Sequence, residues 1–96
     1  MIIVDWEVLS MNLNELRHEI DHIDDEMMAL FKRRMDVSKQ IGKVKKAMNL
    51  PIFDPSRESL VLDKRRERLD DEELWPAYKS FLTKLFDLSK EWQHHD

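Results

Sequence analysis

The chain has 96 residues and a formal net charge of −4; 38% of the residues are charged and 42% are hydrophobic. Its length predicts a single domain, and a content of one Gly and three Pro favours a helical, soluble protein. The net charge argues against a general nucleic-acid binder. The lack of Cys excludes disulfides and thiolate chemistry, and no apolar run approaches the ~20 residues of a membrane span. The first residues have no basic start, so we expect no signal peptide and a cytoplasmic protein.

A long amphipathic helix is predicted from about Asn12 to Met48. Residues 1–11 are expected to form an N-terminal extension, and residues 12–96 the helical domain. Eleven positions keep the alternating three- and four-residue steps of an apolar helical seam. These seam positions are Leu13, Leu16, Ile20, Ile23, Met27, Leu30, Arg34, Val37, Ile41, Val44 and Met48. The single arginine among them is costly unless an anionic group meets it.

The length of this first helix predicts a homodimer. At ~1.5 Å per residue the helix is roughly 55 Å long, whereas a compact monomer of this size is about 25–30 Å across. The chain therefore cannot cover the whole seam by itself, and a second subunit is the natural solution. Ser10 or Asn12 is the expected N-cap of the helix.

Two further helices are predicted after the first. The segment Asn49-Leu50-Pro51 ends the first helix because Pro disfavours the helical conformation in the residue before it. Asp54 and Pro55 are typical of a new helix start, and this helix is expected to reach about Leu69, where Asp70-Asp71 breaks it. The third is predicted from near Glu72 to about Gln93. It has two stripes. The apolar stripe comprises Tyr78, Phe81, Leu85, Leu88 and Trp92. The other stripe changes from apolar to polar and comprises Trp75, Leu82, Phe86, Ser89 and Gln93.

Residues 18–22, His-Glu-Ile-Asp-His, match the HExxH pattern of zinc hydrolases, in which two His four residues apart share a helix face. Ile20 belongs to the seam, so His18 and His22 flank it at the helix surface. No recognisable motif supplies a third ligand, and solvated or interfacial histidines are the favoured interpretation. We therefore expect no metal site.

Arg34 and Lys45 lie three helical turns apart and therefore point in nearly the same direction. Taken alone, Arg34 is also compatible with a side chain that snorkels to solvent or pairs with an acid. The start of the second helix adds Arg57 and Glu58 beside Asp54, where spare backbone N–H groups favour an anion or a hydroxyl. Together these groups indicate a site for an anionic ligand.

Ser89 and Gln93 add two neutral hydrogen-bonding groups that are four residues apart and point the same way. Polar residues are also common at the end of a helix, so this pair indicates a binding site only in combination with the cations. The combined set suits a small dianion that carries a hydroxyl and an ether or carbonyl oxygen. Such a site works by positioning and electrostatics rather than by covalent catalysis.

In their order and spacing these residues resemble the all-helical AroQ-class chorismate mutases over about residues 12–93. The resemblance rests on Leu16-Arg17-x-x-Ile20-Asp21-x-Ile23-Asp24, Arg34, Ile41-Gly42-Lys43-x-Lys45, Pro51-Ile52-x-Asp54-x-x-Arg57-Glu58 and Ser89-x-x-x-Gln93. It implies an intertwined homodimer with three helices per chain and two sites. It also implies conversion of chorismate to prephenate by a unimolecular Claisen rearrangement, without a cofactor, in phenylalanine and tyrosine biosynthesis.

The resemblance implies a role for each cation that would face the two substrate carboxylates. Arg17 would reach into the partner's site and bind one carboxylate. Arg34 would bind the other with help from Ser89, and Arg57 would add positive charge. The arginines would select the compact, diaxial-like conformer of the substrate.

The same resemblance implies roles at the reacting atoms. Lys45 and Gln93 would hydrogen-bond the ether oxygen, where negative charge develops as the C–O bond breaks, and so favour the transition state over the ground state. Glu58 and the backbone at Asp54 would hold the ring hydroxyl. One departure is Phe53, because some members carry a basic residue just before the Asp.

Three alternatives stay open on the sequence. An isochorismate-pyruvate lyase shares the fold and a cationic pocket, and the sequence separates the two substrates poorly. A non-catalytic helical dimerisation or regulatory module is a second possibility, although a buried Arg34 gives such a module no advantage. The third is a catalytic domain cut from a fusion with another shikimate-pathway enzyme.

Overall fold

The computed structural model describes the backbone of residues 6–95 and the side chains of residues 12–95. The regular elements in this range are three helices: α1 (Trp6–Ala47), α2 (Pro55–Leu69) and α3 (Trp75–Gln93). The predicted all-α fold with a very long first helix is confirmed for the described residues. The chain divides into two compact units, Met1–Arg34 and Met35–Asp96.

The start of α1 differs from the prediction. The helix begins at Trp6, six residues before Asn12, while residues 1–5 of the predicted extension lie outside the described residues. Ser10 and Asn12 lie inside α1, so their prediction as caps is wrong. The physical reason is that residues 6–11 contain neither Gly nor Pro, and nothing in the sequence interrupts helical hydrogen bonding there.

The end of α1 lies where the sequence predicts it. After Ala47 the backbone N–H of Leu50 donates to the carbonyl oxygen of Lys45 at 2.8 Å. Asn49 has a φ of 55°, a left-handed conformation that commonly closes a helix C-terminus and that Asn tolerates. Pro51 follows, so the helix cannot resume at once.

The seam of α1 is uncovered within the single chain. All ten of its apolar residues are exposed, from 42% for Ile41 to 62% for Met48. In the second unit the buried residues of α1 are instead Met35, Ser38 and Gly42. These also follow steps of three and four, so α1 uses a different face for contacts inside this unit.

Helix α2 forms as predicted. The Asp54 carboxylate accepts a hydrogen bond from the backbone N–H of Arg57 at 3.0 Å, and Pro55 occupies the first turn. The helix ends at Leu69, and Asp70 adopts a left-handed conformation with a φ of 48°. Short polar residues at both ends therefore set the boundaries of α2.

Helix α3 begins at Trp75, three residues after the predicted start at Glu72. Residues 72–74 form a turn in which the Asp71 carboxylate accepts a hydrogen bond from the backbone N–H of Leu74 at 2.9 Å. That side-chain bond competes with helical hydrogen bonding and delays the helix until Pro76 can occupy its first turn.

The hydrophobic core of the second unit lies between α2 and α3. Its buried residues are Trp75, Leu82 and Phe86, and they pack with the partly buried Val61, Leu62, Leu69, Tyr78 and Leu85. The stripe of α3 that ends in polar residues is thus the buried one, whereas Phe81 of the fully apolar stripe is exposed. None of the described helices combines the length and apolarity needed to span a membrane.

Candidate active site

The eight predicted site residues divide between the two units. Arg17 and Arg34 belong to the first unit; Arg17 is exposed and Arg34 is half-buried on α1. The other six are Lys45, Asp54, Arg57, Glu58, Ser89 and Gln93, and all lie in the second unit. Cations of the predicted set are thus found in both units, and its neutral and acidic groups are found in the second.

Lys45 connects the last turn of α1 to the segment before α2. Its half-buried side chain donates a hydrogen bond from Nζ to the carbonyl oxygen of Ile52 at 2.8 Å. An ammonium group has three donors. Ile52 therefore fixes the position of Nζ while two donor directions stay available for other groups.

The first turn of α2 brings Asp54, Arg57 and Glu58 together. The Asp54 carboxylate is occupied by the N–H of Arg57, and the Asp54 carbonyl oxygen accepts from the N–H of Glu58 at 3.1 Å. The side chains of Asp54 and Arg57 are exposed, whereas that of Glu58 is half-buried. The Asp54 side chain thus caps the helix, and Glu58 supplies the carboxylate that is partly shielded from solvent.

Glu58 is paired with a residue that the sequence did not indicate. The Nζ atom of Lys90 lies 3.1 Å from Oε2 of Glu58 and 4.6 Å from the centre of the Phe53 ring. Its hydrogen bond to Glu58 raises the pKa of Lys90, and Asp87 adds to the same effect. Lys90 therefore stays protonated beside Glu58 throughout the neutral range.

Ser89 is buried against α1 rather than open to solvent. Its Oγ lies 2.7 Å from Oγ of Ser38, and the two hydroxyls share a hydrogen bond. The exposed fraction is only 8% for Ser89 and 4% for Ser38. This buried bond joins two helices that are far apart in the chain and fixes the rotation of each at this point.

Gln93 lies where the backbones of α1 and α3 approach each other closely. A Cβ atom added to Gly42 would collide with the carbonyl oxygen of Gln93 and lie 2.8 Å from its Cα atom. Glycine is thus required for this approach. The side-chain Oε1 of Gln93 is buried and has no hydrogen-bond partner among the described residues. Such an orphaned acceptor is unusual, and it marks a place where a ligand or water can bind.

A pocket of about 310 Å³ also opens beside Gln93. It is lined by Gly42, Lys43, Lys46, Leu50, Ile52, Gln93, His94 and His95. Of the predicted site residues it contains only Gln93. Its two lysines, Lys43 and Lys46, lie near the C-terminal end of α1, where positive charge offsets the helix dipole. The pocket is therefore separate from the group formed by Glu58 and Lys90.

The HExxH segment gains no further ligand in the structure. His18 and His22 are both exposed on α1. Among residues 12–95, no group of three or more His, Cys, Asp or Glu side chains is arranged to hold a metal ion. The described residues thus give no support to a zinc-hydrolase interpretation.

Sequence reasoning missed Ser38, Gly42 and Lys90 as functional candidates. Gly42 carried a signal, because it is the single glycine of the chain and lies inside a predicted helix. Lys90 is one residue after Ser89, yet its pairing with Glu58 depends on how α2 and α3 pack. Ser38 looked like an ordinary helical residue, and only the contact with Ser89 distinguishes it.

Comparison with known proteins gives one family. The family model described as chorismate mutase type II matches residues 16–94. The T-protein of Haemophilus influenzae is 46% identical over 54 residues, which are 56% of this chain and 14% of that protein. The chorismate mutase of Methanocaldococcus jannaschii is 34% identical over 55 residues, which are 57% of this chain and 56% of that protein.

A solved structure has the same fold along most of the chain. A conserved hypothetical protein from Pyrococcus furiosus aligns with a TM-score of 0.72 and 36% identity, over 86% of this chain and 96% of that one. The two curated relatives are matched over much less of their own length, 14% and 56%. Since the family model covers all three helices from Leu16 onward and every predicted site residue, the chain belongs to the chorismate mutase type II family.

Proposed function

We propose that the chain catalyses the rearrangement of chorismate to prephenate, with chorismate as its dianionic substrate and without a cofactor. The observation that carries the proposal is that the family match over residues 16–94 contains all eight predicted site residues, from Arg17 to Gln93. The curated chorismate mutase of Methanocaldococcus jannaschii supports this activity by similarity. The reaction is unimolecular, so a site that holds and polarises one molecule is sufficient.

Lys45 and Gln93 are proposed to stabilise the ether oxygen as the C–O bond breaks. One feature supports this role for Lys45: its Nζ is held by the carbonyl oxygen of Ile52, and its other two donor directions stay available. Gln93 would donate from Nε2 of its amide, while its buried Oε1 can accept a hydrogen bond from a water or from another group of the ligand. Donors held in place before the reaction lower the barrier because no reorganisation is needed as charge develops. They act on the transition state more than on the ground state.

The remaining residues are proposed to hold the substrate. Arg34, with Ser89, binds one carboxylate, and Arg57 adds positive charge at the start of α2. Glu58 accepts a hydrogen bond from the ring hydroxyl, together with the backbone at Asp54. The half-buried position of Glu58 supports this role because a carboxylate partly shielded from water binds a hydroxyl more strongly.

A homodimer is proposed as the working form, with the seam of α1 as its interface. The ten exposed apolar seam residues support this, because a stripe of that length is matched by an identical stripe on a second copy. Arg17 would then serve the partner's site. Sedimentation should give a dimer at micromolar concentration, and a stable, active monomer would contradict the proposal.

The activity is tested by following the loss of chorismate absorbance and identifying the product. Prephenate is expected from the wild-type chain. Lys45→Ala should lose roughly 10²–10³-fold in kcat, as for loss of an oxyanion donor, while Lys46→Ala serves as a control with the same charge change one residue away. Turnover of isochorismate to pyruvate in place of prephenate formation would identify a lyase, and no turnover of either would support a regulatory module.

The chain spans only part of its curated relatives, 14% of the T-protein and 56% of the chorismate mutase. The residues proposed for the chorismate mutase activity all lie within the matched range 16–94. The compartment that we propose for the chain is the cytoplasm. Cell fractionation with a soluble marker enzyme tests this compartment.

A further inference from the structure

Lys90 joins three parts of the second unit. Its Nζ lies 3.1 Å from Oε2 of Glu58 on α2, 3.5 Å from Oδ1 of Asp87 on α3, and 4.6 Å from the ring centre of Phe53 in the connector. The side chains of Lys90 and Glu58 are each 27% exposed, whereas Asp87 is 54% exposed. Glu58 is therefore its better shielded partner.

The surroundings of Lys90 hold its ammonium group in one place. The face of an aromatic ring attracts a cation, and the Phe53 ring therefore closes one side of the ammonium. Asp87, one turn earlier on the same helix, attracts the ammonium group from a second side. A long lysine side chain ordinarily samples many rotamers, but these contacts restrict it and so restrict the carboxylate that it touches.

We infer that Lys90 is a positioning residue that holds the Glu58 carboxylate so that its second oxygen can accept a hydrogen bond from a substrate hydroxyl. This inference rests on the proposed function, in which Glu58 binds the ring hydroxyl. Lys90 contacts Oε2, and a carboxylate has two oxygens with about four acceptor positions. The occupied oxygen fixes the rotation of the group and leaves Oε1 available.

The size of the effect follows from side-chain ordering. Immobilising one long side chain on binding changes affinity by about 3- to 10-fold. Without Lys90, Glu58 has to be ordered when the substrate arrives, and binding is weakened by that factor. The hydroxyl does not take part in bond breaking, so the loss should fall on KM and leave kcat nearly unchanged.

The test is a double-mutant cycle measured as kcat and KM for chorismate with Lys90→Met, Glu58→Gln and the double variant. Lys90→Met alone should raise KM about 3- to 10-fold, and Lys90→Arg should restore most of the loss because it keeps the cation. In the Glu58→Gln background Lys90→Met should have no further effect. Lys84→Met, which removes an exposed lysine from the same helix, should resemble the wild type.

Melting temperatures show whether each variant is folded, and Lys90→Gln replaces Lys90→Met if the latter is unstable. An equal loss in both Glu58 backgrounds would overturn the inference, because Lys90 would then act directly on the dianion. A wild-type KM for Lys90→Met would overturn it as well. If the wild-type chain forms no prephenate, the proposed function itself fails; if it does and the cycle is additive, only the role of Lys90 fails.

Discussion

Gly42 on α1 lies directly against the backbone of Gln93 at the end of α3, so closely that a Cβ atom at position 42 would collide with the Gln93 carbonyl oxygen. The two residues are 51 positions apart in the chain. Their contact sets the distance between the helices at the point where Gln93 presents its amide. The rigid backbone on both sides leaves no flexible side chain to absorb an added methyl group.

Gly42→Ala should therefore displace the end of α3 and reduce catalysis. Overpacking typically costs about 1–3 kcal/mol, partly offset by the higher helix propensity of Ala, about 0.5–1 kcal/mol. A shift of ~1 Å at a catalytic group can lower the rate about 10²-fold. Measuring kcat and thermal unfolding of Gly42→Ala beside the exposed neighbour Lys43→Ala checks this. Wild-type values for both variants would show that the close approach does not position Gln93.

Gln93→Glu should make the reaction depend on pH. An amide can donate a hydrogen bond to the ether oxygen at any ordinary pH, whereas a carboxyl group donates only when protonated, with an unperturbed pKa of about 4.3. Burial raises such a pKa, so the rate should climb as the pH falls, while the parent stays flat between about pH 5 and 8. Gln93→Ala, which cannot donate, should be slow throughout. If the Gln93→Glu variant and its parent gave parallel profiles, Gln93 would have no role at the ether oxygen.

Arg17 should serve the partner's site. It precedes Arg34 by 17 residues, or roughly 25 Å along one helix, so a single α1 cannot bring both side chains to one small substrate. Arg17→Ala and Lys45→Ala dimers should each be nearly inactive. In a heterodimer of the two, one site lacks both groups and the other lacks neither.

Refolding the Arg17→Ala and Lys45→Ala chains as an equal mixture should make about half of the dimers mixed and restore about a quarter of wild-type activity. Native mass spectrometry provides the control that heterodimers are present. Activity no higher than the mean of the two variants, with heterodimers present, would mean that Arg17 acts in its own subunit or in no site.

Glu72 should contribute stability that disappears in acid. Arg66 donates from Nε and Nη2 to this exposed carboxylate, at 3.0 and 2.6 Å. The hydrogen bond from Arg66 holds the pKa of Glu72 below its ordinary value. A lowered pKa in the folded state stabilises the protein above the unfolded-state pKa, and this stability is lost as the pH falls through the folded-state value.

The wild type should therefore melt above Glu72→Gln at pH 7, and the difference should close as the solution is acidified. Thermal unfolding between pH 7 and pH 3 measures it, with the exposed neighbour Glu73→Gln as the control. A gap in Tm that is constant with pH would show that the pair with Arg66 carries no linked proton.

Local chemistry determined most of the element boundaries. The end of α1 and both ends of α2 followed from Pro51, Asp54 with Pro55, and Asp70, because caps and proline act over a few residues. The same local rules gave a wrong start for α1. Ser10 and Asn12 are residue types that cap helices, but the helix runs through both positions without interruption. The order and spacing of the motifs determined the family, because those properties belong to the chain before it folds.

Tertiary structure decided which faces of those helices meet. Periodicity identified two stripes on α3 and one on α1, but the buried α1 residues in the second unit are Met35, Ser38 and Gly42. The pairing of Ser38 with Ser89, and of Lys90 with Glu58, depends on the rotation and separation of packed helices. Those quantities arise from close packing among residues about 30 to 50 positions apart, and the spacing within any single helix does not contain them.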